Sequence, residues 1–190
     1  MMEKSLLAST KRRRRHQSGQ TLVEFALVAP LLLMVIFGTI EFCFLYQSVN
    51  TVSFAAREGA RVGAVLGPTD SAADSKIIQA IFNATTNGSG LLFSQITMIE
   101  IFKSNESGSV PAQLTSCTSA SNEDVYDGQG NLCGTQNWPP NVRNATFNNA
   151  DYLGVRITFV YNWVTSFVSA ARGSFQMTSV SIQLIEPQTF

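Results

Sequence analysis

The sequence predicts an α+β fold: a long N-terminal helix that is apolar enough to enter a membrane, a short second helix, and a small antiparallel sheet of about three strands. Three patterns carry that expectation. Leu22 to Tyr46 is an apolar run interrupted only by Glu24 and Glu41. Ala73, Ile77, Ile78, Ile81 and Phe82 recur at helical spacing. Tyr152 to Trp163 alternates, with Leu153, Val155, Ile157, Phe159 and Tyr161 on one side and Gly154, Arg156, Thr158, Val160 and Asn162 on the other.

The first of these sets the organisation of the chain. Crossing a bilayer core takes ~20 apolar residues in a helix, and Leu22 to Tyr46 is long enough. Pro30 and Gly38 do not veto a span, since neighbouring groups can compensate for a missing bond or a flexible link. The block Lys11, Arg12, Arg13, Arg14 and Arg15 sits just before the run. Positive charge on that flank holds the amino terminus in the cytoplasm and puts everything after Tyr46 outside. A polybasic run can also bind anionic lipid or nucleic acid, but its position before a spanning helix makes topology the simpler reading.

Inside this stretch Gly19 is followed by Gln20-Thr21-Leu22-Val23-Glu24. A carboxylate in a hydrophobic helix costs about 2.5–3.5 kcal/mol at the bilayer centre and less near its surface. Glu24 therefore either snorkels toward headgroups or finds a partner. The order of basic run, glycine and fifth-residue glutamate resembles a type IV prepilin leader. That resemblance implies cleavage between Gly19 and Gln20 by a prepilin peptidase, and pairing of Glu24 with the new amino-terminal ammonium of a neighbouring subunit. A conventional secretory signal is a poorer match, because the nearest small-residue site, Ser53-Phe54-Ala55, lies well beyond the apolar run.

Beyond Tyr46 helical spacing continues through Val49, Val52, Phe54, Ala56, Ala60 and Ala64 until Gly67-Pro68, where proline lacks an amide hydrogen and restricts the residue before it. Arg57 and Arg61 fall on one helix side, and Glu58 can pair with Arg61 across three residues. This turn is either solvated or a subunit contact. Gly59 in mid-helix costs about 1 kcal/mol against alanine, which a close neighbour would rationalise. Small residues at Ala55, Ala56, Gly59, Ala60, Gly63 and Ala64 admit another backbone.

GQTLVEFALVAPLLLMVIFGTIEF followed by AAREGARVGAV is similar to the TadE-like family of minor pilins, or pseudopilins, of the tight-adherence (Tad) pilus system; YLGVRITFVYNW and GSFQMTSVSIQLIEP match more loosely. The resemblance assigns Glu24 as the processing-site glutamate, Glu41 as a second intramembrane carboxylate, and Arg57 to Arg61 as a charged turn after the membrane. It departs at Cys43-Phe44, where the family often has glycine and then a polar or basic residue. Its implied partners are the membrane, a prepilin peptidase, other pilin or pseudopilin subunits and pilus assembly proteins.

In the remaining chain, Thr69-Asp70-Ser71 offers a cap for a helix running to about Thr85, and Asn87-Gly88-Ser89-Gly90 ends it. Gln95 to Lys103 reads as a strand, with Ile96, Met98 or Ile99, and Ile101 or Phe102 inward. Ser104 to Ala150 turns to Ser, Asn, Gly, Thr and Pro and reads as a long loop, with a small hairpin around Asp127 to Asn131. Glu123, Asp124 and Asp127 fail the EF-hand pattern and read as a solvated turn. Val164 to Gly173 is an apolar connection, either a short helix or a surface loop. A last strand, Phe175 to Ile185, changes phase near Ser179 in a way that suggests a bulge.

The expected organisation is a basic leader over 1–19, a transmembrane and extended helix over 20–66, and an extracytoplasmic α+β domain over 67–190 with a 104–150 loop insertion. Thirteen basic and thirteen acidic residues balance, but loss of the leader removes six bases and one acid and leaves a net charge of −5. That argues against a nucleic-acid partner. Of three cysteines, Cys117 and Cys133 lie outside the membrane. They form a disulfide if that compartment is oxidising and stay as thiols otherwise; the disulfide is the expectation. No CxxC is present and His16 is the only histidine, so neither a metal nor another cofactor is expected. No nucleophile with a plausible base appears, so the chain reads as a structural subunit and not an enzyme. The alternatives are an uncleaved bitopic anchor displaying a binding domain and, third, a secreted enzyme lacking the apolar segment.

Overall fold

The structure is a computed structural model that describes residues 10–87, 91, 94–118, 120–165 and 173–187, with side chains described from Gly19 onward. It divides into two compact units, residues 1–43 and 44–190.

The first helix, α1, spans Thr10–Leu66 and contains Pro30. Its backbone is helical from Thr10 through the basic residues; no proline or glycine precedes Gly19 to interrupt the hydrogen-bond ladder. In the first unit the apolar side chains are open, Phe25 at 67 %, Leu27 at 75 % and Leu31 at 65 % exposure. Gly19–Leu66 is long and apolar enough to cross a membrane.

The second unit holds the rest of α1, the helix α2 (Ala73–Asn87) and four strands, β1 (Ser94–Ser104), β2 (Glu123–Asp127), β3 (Tyr152–Tyr161) and β4 (Phe175–Leu184). All pair antiparallel in the order β2-β1-β3-β4. Gly67 ends α1 with a positive φ of 53°, its N–H donating to the Gly63 carbonyl. Asp70 opens α2 by accepting from the Ala72 N–H at 2.8 Å, which satisfies a donor left free at a helix start.

One sheet face carries Ile99, Ile101, Leu153, Val155, Ile157 and Phe159, and packs with Val52, Ala55, Ala56 and Ala60 of α1 and Ile77 and Ile81 of α2 into one apolar core. The small-residue stripe of α1 is what permits this. A Cβ on Gly59 would stand 2.8 Å from Ile81 Cγ1, and one on Gly63 would stand 2.8 Å from Ile77 Cδ1 and 2.9 Å from Leu153 Cδ1. The close neighbour that offsets the helical cost of Gly59 is thus the protein's own second helix.

The structure corrects three expectations and adds one feature, the covering of the second face of β3, that they left open. The sheet has four strands, the additional one being β2, inside the segment read as loop. Glu123 and Asp124 are not on a solvated turn; they are buried on β2, because pairing to β1 carries them across the sheet. The polar side of β3 is covered as well, with Gly154, Arg156 and Thr158 buried. The irregularity lies in β1, between Ile96 and Met98, whereas β4 pairs with β3 in unbroken register through Ser179. The hairpin after β2 forms as expected: the Asp127 N–H donates to the Asn131 carbonyl, and Asp127 Oδ1 accepts from the Gln129 and Asn131 amides. Of the Val164–Gly173 connection, residues 166–172 lie outside the described residues, as does the whole of 88–90 in the helix stop.

Candidate processing and assembly segment

Gly19 and Gln20 are exposed on α1, and a Cβ built on Gly19 meets nothing within 4 Å. One turn on, the Gln20 side-chain amide donates to Glu24 Oε1 at 3.3 Å. Glu24 is exposed, so its carboxylate is open to a further donor. Glu41 differs sharply, being buried at 3 % exposure. The basic residues Lys11, Arg12, Arg13, Arg14 and Arg15 lie on helical backbone; their side chains are outside the described residues.

The charged turn outside the apolar run divides between two faces. Gly59 faces α2, as above, whereas Arg57 and Arg61 are exposed. Arg61 donates to Glu58 from both Nε (2.9 Å) and Nη2 (2.6 Å). The Arg61 hydrogen bond holds the Glu58 carboxyl below its usual range, so this pair stays ionised. Phe54, one turn before Arg57, is 60 % exposed. The outward face of α1 therefore offers an aromatic ring and two guanidiniums, one of them engaged by a neighbouring acid.

Residues 19–61 match the family model described as TadE-like protein. Over this stretch the chain is similar to the TadE-like family. No curated protein and no solved structure matches the chain. The TadE-like segment begins at Gly19, covers both Glu24 and Glu41, and ends at Arg61.

The domain beyond the TadE-like segment is stiffened by charges that periodicity alone did not reveal. On the outer sheet face, Arg156 pairs with Glu100, directly opposite it on β1, and donates from Nε at 2.7 Å. Its other nitrogens reach the Pro111 and Ala112 carbonyls at 2.9 and 3.3 Å, so the guanidinium holds the segment after β1 against the sheet. Glu123 stands 3.9 Å away on β2. Burial pushes Glu100 up to about 7 and raises Glu123 also, against the opposing pull of Arg156.

A second buried cation, Arg143, pairs with Asp74 of α2, lies 3.7 Å from Asp124 Oδ2, and stacks 4.7 Å above the Trp138 ring. Asp74 also accepts from the Tyr126 hydroxyl at 3.1 Å and from Gln136 at 2.7 Å. Asp124 Oδ1 accepts the Asn137 and Trp138 amides at 2.6 and 2.9 Å. These contacts fasten the irregular segment after β2 to both α2 and the sheet. The Cys117–Cys133 disulfide, with Cα atoms 5.4 Å apart, closes the same region. Cys43 is a free, exposed cysteine. Among the described residues no group of three or more His, Cys, Asp or Glu is placed to hold a metal. The sequence signal for the first cluster was a single charge in each of two apolar strands, Glu100 in ITMIEIF and Arg156 in LGVRITFV.

Proposed function

We propose that the chain is a minor pilin-like structural subunit of a Tad-type pilus assembly. The observation that carries this reading is the TadE-like match opening at Gly19, just ahead of an exposed glutamate and an apolar helix. In this reading Lys11 to Arg15 keep the amino terminus in the cytoplasm, and residues 22–46 cross the inner membrane. A prepilin peptidase cuts between Gly19 and Gln20. Glu24, open on its helix, then accepts the Gln20 ammonium of an adjacent subunit, which relieves the cost of a carboxylate in lipid. Glu41 is enclosed already and takes no such partner from outside. Phe54, Arg57 and Arg61 face neighbouring pilin or assembly subunits, while the exterior domain is held by its disulfide and buried ion pairs.

A second reading, an uncleaved bitopic anchor displaying a binding domain, draws support from α1 running without interruption through Gly19. Mass spectrometry of the protein from native membranes and sheared filaments separates the two. A terminus at Gln20, lost in Gly19→Leu, is expected; a chain retaining residues before Gln20 in both fractions would refute processing. Glu24→Ala is expected to insert normally yet to be depleted from filaments and co-purifying complexes, and undiminished recovery would sink the pairing role.

A further inference from the structure

At one end of the sheet lies a cleft of about 620 Å³, between the turn that follows β1 and the loop that leads into β3. Its size is that of small-molecule sites. Both walls are braced from within. In the first, Asn105 Oδ1 accepts from the Ser107 hydroxyl and the Ser109 amide, and the Ser104 hydroxyl donates to the Ser109 carbonyl at 2.6 Å. In the second, Asn144 and Asp151 close the loop on each other, the Asp151 N–H donating to the Asn144 carbonyl at 2.8 Å and the Asn144 N–H to Asp151 Oδ2 at 2.9 Å. The Thr146 amide and hydroxyl both donate to Asn144 Oδ1, and the Asn149 N–H turns back to the Thr146 carbonyl at 3.0 Å.

At the tip of that loop Phe147 is 78 % exposed, the most open large apolar side chain described in the second unit. Beside it Asn148 holds a left-handed backbone, φ 66°. A fixed loop that spends its bracing on holding a phenyl ring in water has no role in the core, and aromatic faces presented this way serve recognition.

The lining chemistry narrows the ligand. Lys103 is the only cation among the lining residues, and it is engaged by Asp151 at 2.7 Å. With Glu106 the cleft carries a formal charge of −1, which disfavours phosphates and nucleotides. The remaining lining carries the side-chain amides of Asn105, Asn148 and Asn149, which both donate and accept, and the apolar surface of Phe147, Tyr152, Leu184 and Pro187, with Ser104 and Ala150 between them. An uncharged ligand with apolar C–H faces and hydroxyls that both donate and accept fits this set. We propose that the cleft binds a neutral saccharide, a pyranose face lying on Phe147 with its hydroxyls met by Asn105, Asn149 and Glu106. The proposal stands apart from the pilus reading and survives its failure.

The test is saturation-transfer NMR on the full chain in nanodiscs, with cellotriose and chitotriose as probes. Transfer to the pyranose C–H protons is expected from at least one of them. Phe147→Ala should weaken that binding about tenfold or more, a loss of ~1.4 kcal/mol, while Phe147→Trp should retain it. Phe147 is exposed, so the alanine variant should fold, and its unfolding midpoint checks this. Absence of transfer from both trisaccharides, or transfer unchanged by Phe147→Ala, overturns the proposal.

Discussion

The outer-face cluster makes an inverted pH dependence measurable. Glu100 lies in the sheet with no exposed surface, and burial raises its carboxyl from an ordinary 4.5 to about 7. Between those values the folded chain holds a proton that the unfolded chain has released, so stability must fall as pH rises from about 5 to 8. A shift of this size corresponds to about 3 kcal/mol. Glu123 and Asp124, also raised by burial, act in the same direction. Glu58, Asp70 and Asp127 are lowered by hydrogen bonds; their stabilisation is lost as pH falls below about 5 and is constant above it, so it does not alter the slope between pH 5 and 8. Glu100→Gln keeps the shape and removes the titration. Urea unfolding of the full chain in detergent, followed by fluorescence of the buried Trp138, should show the wild type losing stability between pH 5 and 8. The variant should lose about 3 kcal/mol less over the same range. Equal slopes, or a wild type that gains stability with pH, would refute the placement of Glu100.

Packing and covalent closure give two further outcomes. Gly59→Leu inserts a branched side chain where a single Cβ already stands 2.8 Å from Ile81; a loss of about 1–3 kcal/mol is expected in the same unfolding assay, and Ile81→Ala in that background should recover part of it. Cys117→Ser should cost about 3 kcal/mol, and a reductant should shift the mobility of the wild type but not of the variant on a denaturing gel.

How far the fold could be read from the chain depended on whether an element's signal was local. The alternation of β3 and the apolar stripe of α2 name their own buried faces, and Gly67-Pro68 terminates α1 where its chemistry requires. β2 could not be found in this way. EDVYD has three acids and no apolar alternation, and it becomes a strand only because β1 offers an edge and Arg143 and Arg156 receive Asp124 and Glu123 on opposite faces. The same pairing hid the second sheet face. Gly154, Arg156 and Thr158 look like solvent-facing residues, yet Phe102 covers the glycine and the Pro111–Ala112 backbone covers the arginine.

The small residues of α1 show how one segment can carry two kinds of contact. Ala55, Ala56, Gly59, Ala60, Gly63 and Ala64 could have served another subunit by composition alone, but α2 and the sheet occupy that face. Packing them inward consumes the small-residue stripe and leaves Phe54, Arg57 and Arg61 outside. A partner on this helix must therefore meet an aromatic and charged surface, which selects by charge and ring stacking and not by close backbone approach. In the proposed assembly, selection in the apolar half falls to Glu24, which is exposed, whereas Glu41 is buried. In that reading specificity along α1 divides by depth, a single carboxylate where water is scarce and two guanidiniums where it is not.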